Sequence, residues 1–254
     1  MKSKRLLIGI SVFALVIAAV ISTVFFAVSK FNQSNYPTAP PMPPAVSQSM
    51  EEILVQLEGE LRTNAPDVLT NLRPGLSMDK IDELEKQAQI KIPADIKAIY
   101  HWRDGYDREA SKVSGLQKAG PMPGDYFMPL EEALETRRIL NNQLAGATLA
   151  QRTAYQTLAG FTKTWLTLFD DGGGDGYFYD PDRRPEQGAI FSHDMEPGDY
   201  TFFSSPKNLF AGMVKCYQLK IFNGAESTNE MILIKKAAEE EKIWSEFGSK
   251  PPSN

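Results

Sequence analysis

The chain has 254 residues, a formal net charge of −5, a single cysteine and two histidines. That length holds one sizeable domain with additions, or two small ones. One cysteine excludes a disulfide framework within the chain. The acidic balance argues against nucleic acid, whose phosphates are met by clustered Lys and Arg.

The first feature along the chain is Leu6–Val28, an uncharged and mostly apolar run with Phe13, Ile17, Val20, Ile21, Phe25 and Phe26. As a helix it would extend roughly 35 Å at ~1.5 Å per residue, enough for the ~30 Å hydrocarbon layer of a bilayer. Lys2, Lys4 and Arg5 precede the run, and Lys30 follows it. That bias predicts a single-pass span through residues 6–28, with the N-terminus cytoplasmic and the domain extracytoplasmic. A cleaved signal peptide ending near Ala27-Val28-Ser29 is the competing reading, although its apolar stretch is ordinarily shorter, ~7–15 residues. Either one exports the downstream domain. No cysteine follows the run closely, which argues against a lipoprotein anchor. Residues 1–30 are therefore read as a membrane anchor.

Residues 31–50 read as a linker in which Pro37, Pro40, Pro41, Pro43 and Pro44 accumulate. Such a stretch favours polyproline II at ~3.1 Å per residue and would hold a domain up to roughly 60 Å from the membrane. From residue 51 onward 23 basic residues face 32 acidic ones, a net −9. A basic protein partner would suit such a surface.

A domain is expected over 51–225. Ser49-Met50-Glu51-Glu52 has the spacing of a capping box, followed by Ile53, Leu54, Leu57 and Leu61 at helical intervals. Pro74-Gly75 breaks the chain, and Ser77 caps a second helix with Ile81, Leu84 and Ala88 on one face. Ile90-Lys91-Ile92 is extended ahead of Pro93, which suits the first position of a third helix carrying Ile96, Ile99 and Tyr100. Gly105 fits that helix's C-cap, and a further helix is expected from Leu130 to Leu144.

After residue 160 the pattern turns to strands. Thr164–Phe169 is apolar on both faces, as in a central strand. Tyr177–Tyr179, Ala189–Ser192 and Tyr200–Phe203 follow as three more. Ser205 then caps a helix with Pro206 at its first position and Leu209, Phe210, Met213, Val214 and Tyr217 on its apolar face. Cys216 falls on that side, as a small buried hydrophobe. Residues 226–254 read as a charged helical tail. Helices followed by a meander of strands indicate an α+β domain.

The segment most open to chemistry is Asp170-Asp171-Gly172-Gly173-Gly174-Asp175-Gly176-Tyr177-Phe178-Tyr179-Asp180. A calcium hand starting at Asp171 would find Asp175 and Gly176 in place, but Gly173 fails at the third position and Asp182 replaces the long Glu at the twelfth. Asp170, Asp171, Asp175 and Asp180 could supply the two carboxyls of a glycoside hydrolase, ~5–10 Å apart, but acids at a hairpin tip lack a pocket to tune them. A turn between two strands accounts for the glycines directly, since they take positive φ without strain. Tyr177 and Tyr179 share a strand face, either exposed for a partner or covered by helices. His101 and His193 have no metal ligands at suitable spacing, the glycine run lacks the Lys-Ser/Thr ending of a phosphate loop, and no Gly-x-Ser-x-Gly elbow occurs.

Three blocks carry a family resemblance. The first is Ile81-Asp82-Glu83-Leu84-Glu85, then Ile92-Pro93-Ala94-Asp95-Ile96-Lys97-Ala98-Ile99-Tyr100 and Asp104-Gly105. The second is Trp165 with its strand, the glycine turn, Asp180-Pro181 and Gly188-Ala189-Ile190-Phe191. The third is the helix from Pro206. In this order they resemble the SUKH superfamily, which includes fungal cell-wall-synthesis regulators and bacterial immunity proteins against polymorphic toxins. Ile92 stands in the family's Leu place and Asp104 in its Asn place. The resemblance covers about residues 75–220. The anchor, the proline linker and a long Leu116–Gln151 stretch depart from the pattern.

The resemblance implies a compact α+β domain that binds protein, with no catalytic residue, cofactor or metal to carry over. The expected function is thus a membrane-anchored protein-binding module, with an immunity protein that masks a basic toxin as its first form. A scaffold or regulator of envelope assembly is the alternative, and an envelope hydrolase a distant third. The expected partner-binding residues are Asp170, Asp171, Asp175, Tyr177 and Tyr179.

Overall fold

The computed structural model describes residues 41–107, 120–146, 165–172, 175–180, 189–193, 201–222 and 230–249. The expected span at Leu6–Val28 and the first half of the linker lie outside them. No helix among the described residues is long and apolar enough to cross a membrane.

Helix α1 (Met50–Asn64) begins with the expected reciprocal cap. The Glu52 amide donates to Ser49 Oγ at 3.2 Å, and the Ser49 amide donates to Glu52 Oε2 at 2.8 Å. Its buried face is Met50, Ile53, Leu54, Leu57 and Leu61. A short helix α2 (Pro66–Asn71) leads into β1 (Leu72–Pro74), which pairs antiparallel with β2 (Arg103–Tyr106). Between these strands lie α3 (Met78–Ala88), capped by Ser77, and α4 (Ala94–Trp102). Pro93 is the N-cap of α4 rather than its first residue. Gly105 is not the helix C-cap. The chain turns extended at Arg103, and Gly105 lies within β2.

The main sheet is a six-stranded antiparallel meander in chain order: β3 (Tyr126–Phe127), β4 (Leu166–Asp170), β5 (Gly176–Tyr179), β6 (Ile190–His193), β7 (Phe202–Phe203) and β8 (Gly248–Ser249). The remaining described helices are α5 (Leu130–Gly146), α6 (Pro206–Gln218) and α7 (Glu230–Phe247). The α+β expectation therefore agrees with the architecture. A register shift between Thr167 and Phe169 changes which β4 side chains share a face. Without it Leu166 and Phe169, three apart, would face opposite sides; with it both enter the helix-side core.

Helix α6 is the centre of that core. Leu209, Phe210, Met213, Cys216 and Tyr217 are all buried, α1 packs along one flank and α7 along another. The domain exceeds its expected limits at both ends. Ile243 and Trp244 of α7 are buried, and β8 extends the sheet, so 230–249 is no detached tail. Residues 41–49, expected to be linker, belong to the same compact unit. Spacing in the sequence could not show this, because the side chains that meet residues 41–46, from Trp165 to Ser249, lie more than a hundred positions away.

Candidate functional site

The acid-rich segment forms the bend between β4 and β5. The Asp171 amide donates to the Asp175 carbonyl at 3.0 Å and closes the turn. Gly172 takes φ +83° there, a conformation that L side chains rarely adopt. Asp170 Oδ1 accepts the Gly172 amide at 2.7 Å, and Asp171 Oδ1 accepts the Asp175 amide at 3.0 Å. These side chains thus cap the backbone of their own turn, as Asp does in Asx-turns. Asp170, Asp171 and Asp175 are all half-buried.

A fourth acid joins them. Tyr126 of β3 pairs with Asp170, so the antiparallel register carries Asp125 to the Asp171 end of the same edge. Asp125 was invisible to periodicity, since a two-residue strand has no pattern to read. The result is a compact negative end of the sheet. Among the described residues no group of three or more His, Cys, Asp and Glu side chains is arranged to hold a metal ion.

The two tyrosines point elsewhere. Tyr177 packs its ring against Phe169 at 6.1 Å, Phe203 at 6.4 Å and Trp244 at 6.4 Å. Burial raises its phenol well above the ordinary value, and the nearby Asp125 and Glu240 charges add to the rise. Tyr179 shares that face and packs against the same core. Of the five expected partner residues, the structure brings Asp170, Asp171 and Asp175 together at the tip and packs Tyr177 and Tyr179, both partly buried, against the main core.

The other conspicuous polar residues have fold roles. Trp165 Nε1 donates to Asp180 Oδ2 at 3.0 Å in a buried site, and the Asp180 amide donates to the Ala189 carbonyl at 2.9 Å. Asp104 is 3% exposed. Its Oδ1 accepts the amide of Leu130, which opens α5, at 2.9 Å, and its Oδ2 meets Arg73 Nη2 at 3.1 Å. His101 Nδ1 bonds the Leu76 carbonyl at 2.7 Å and ties α4 to the turn after β1. Cys216 is fully buried, and desolvation pushes its thiol up to about 12.

Trp165 with Asp180, and Asp104 with Gly105, are the fixed points of the two longest blocks read from the sequence. A comparison with protein families matches the SMI1 / KNR4 family (SUKH-1) over residues 75–207, just over half of the chain. The chain belongs to the SMI1 / KNR4 family. A comparison with curated proteins found no match. At the family level, SMI1 / KNR4 membership supports a protein-binding or immunity-type module. The matched range ends just inside α6, so in this chain α1, most of α6 and α7 complete the core from outside it.

Proposed function

We propose that this SMI1 / KNR4 domain is a membrane-tethered binding module that engages a basic protein through the acidic end of its sheet. Asp170, Asp171 and Asp175 on the β4–β5 bend, with Asp125 beside them, are the contact residues. The observation that carries the reading is the geometry of that bend. It holds several carboxylates half-exposed on a turn closed by its own hydrogen bonds, and such a preorganised negative patch steers and orients a positive partner. The apolar run at 6–28 and the positive charges ahead of it support presentation outside the cytoplasm. If 31–40 is extended, it spans about 30 Å at ~3.1 Å per residue, ample reach for a tether.

An immunity protein that masks a basic toxin is the first form of this reading. A scaffold for envelope assembly would use the same patch. The test is quantitative capture by the detergent-solubilised full chain, set against Asp170→Asn/Asp171→Asn/Asp175→Asn. The Asn side chains keep the oxygens that close the turn and remove only charge. Basic polypeptides should be retained by the wild type, weaken steeply with salt and be lost in the variant. An identical captured set at low salt removes the reading.

A further inference from the structure

Helix α7 meets the core through one large aromatic ring. Trp244 is buried, and its ring lies 5.6 Å from Phe203, 6.1 Å from Phe222 and 6.4 Å from Tyr177. It rests on Gly212 of α6, where an added Cβ would stand 2.5 Å from Trp244 Cζ3. One helical turn earlier, Glu240 enters the same junction. Trp244 Nε1 donates to Glu240 Oε1 at 2.9 Å, and the carboxylate is half-buried.

Among the described residues, the groups that face this carboxylate carry no positive charge. The Tyr177 phenol comes from β5, the Cys216 thiol from α6 and the indole from α7 itself. Asp125, ahead of β3, faces the same Tyr177 hydroxyl. No described Lys, Arg or His pairs with Glu240, and Lys215 beside Cys216 is no exception. Its chain neighbours Glu239 and Glu241 are exposed. A half-buried carboxylate with one neutral donor and no cation is costly to ionise. Burial accordingly raises the Glu240 carboxyl above its ordinary value, and the Trp244 indole offsets only part of the rise. Burial also raises Tyr177 and Cys216, so both stay protonated at neutral pH and bring no compensating charge.

We propose that Glu240 makes the seating of α7 sensitive to pH, firm when the carboxyl is protonated and weaker once it is ionised. Protonation is favoured in the folded state. The stabilisation is therefore complete below the unfolded value of about 4.3 and is lost as pH climbs through the higher folded one. The cost falls on the joint between α7 and the wall made by α6 and β5, where Ile243, Trp244 and Phe247 also dock. The device does not depend on what the acidic bend binds.

Hydrogen exchange on the full chain in detergent micelles, corrected for the intrinsic effect of pH and read by mass spectrometry, tests it. Glu240→Gln keeps an oxygen for the Trp244 indole and stays neutral at every pH. At about pH 4.5 the amides of Ile243–Phe247 should be nearly equally protected in the wild type and in Glu240→Gln, and at about pH 7.5 the wild type should be several-fold less protected. Trp244→Phe removes the one donor that favours the ionised form, so its fall from acid to neutral pH should exceed that of the wild type. Matching protection in the wild type and Glu240→Gln at both pH values overturns the proposal, as does greater protection of the wild type at neutral pH. A fall in Trp244→Phe no larger than the wild type's overturns the role given to the indole.

Discussion

Asp104-Gly105 and the Asp170–Gly176 bend are made of the same residue types, and the fold uses them in opposite ways. At Gly105 the backbone takes φ +77°, and an added Cβ would stand 2.5 Å from the Pro129 nitrogen and 2.7 Å from its Cα. Asp104 beside it is buried and serves a helix start on another element. At Gly172 the backbone takes φ +83°, but no atom lies within 4 Å of where a Cβ would go. The hydrogen bonds of Asp170 and Asp171 there close their own turn. One corner is fixed by what surrounds it, the other by itself. Aspartate and glycine together therefore say only that the chain bends. Burial decides whether the bend is part of the core or part of the surface.

The largest effect should come from a methyl group at each corner. Gly105→Ala combines left-handed strain with a backbone clash and should cost about 3 kcal/mol or more. Gly172→Ala meets strain alone and should cost about 1 kcal/mol. Denaturant midpoints of the two variants measure the difference directly. Equal losses would erase the distinction between the corners.

A smaller effect separates charge from hydrogen bonding at Asp104. Asp104→Ala removes the acceptor for the Leu130 amide and should cost about 1–2 kcal/mol. Asp104→Asn keeps that acceptor. Burial raises the Asp104 carboxyl above its ordinary value, against the pull of the Leu130 amide and the Arg73 charge. A carboxyl raised on folding holds its proton more tightly in the folded state. Its ionised form is therefore a cost to folding, absent in acid and growing as pH rises from about 3.9 through the raised folded value. Relative to Asp104→Asn, the wild type should thus lose stability as pH goes from about 3 to about 7. Unfolding curves that stay parallel over that range would show the carboxylate to be fully compensated by Arg73.

Much of this was legible from short-range signals. The caps at Ser49, Ser77 and Ser205, the helix from Leu130 and the strands β4 to β7 each depend on residues within a few positions of one another. The rest depends on distance. Strands β3 and β8 have two residues each and no period. Residues 41–49 look like free linker because the side chains that hold them, Asn208 and Ser249, lie about 160 residues or more away. Helix α7 reads as a charged tail because its charges dominate the sequence there, although Ile243 and Trp244 are buried and Phe247 packs on the core. The site was half legible for the same reason. The three acids at the bend are neighbours in sequence, whereas Asp125 arrives by strand pairing and Tyr177 is partly covered by Trp244, more than sixty residues downstream.

The smallest stability change is expected where the acids are most numerous. Asp170→Asn, Asp171→Asn and Asp175→Asn combined should shift unfolding by less than about 0.5 kcal/mol, the range of ordinary surface substitutions. Each Asn presents the same Oδ1 as the Asp it replaces, so the turn survives, and removing three like charges relieves repulsion with Asp125. Any gain should therefore be seen at low salt and vanish as salt screens the acids. Thermal unfolding at two ionic strengths reads both points. A loss of about 2 kcal/mol would mean that ionised carboxylates hold the bend together. The surface corner would then be tied into the fold as firmly as Asp104, and a patch kept charged for a partner would lose its physical basis.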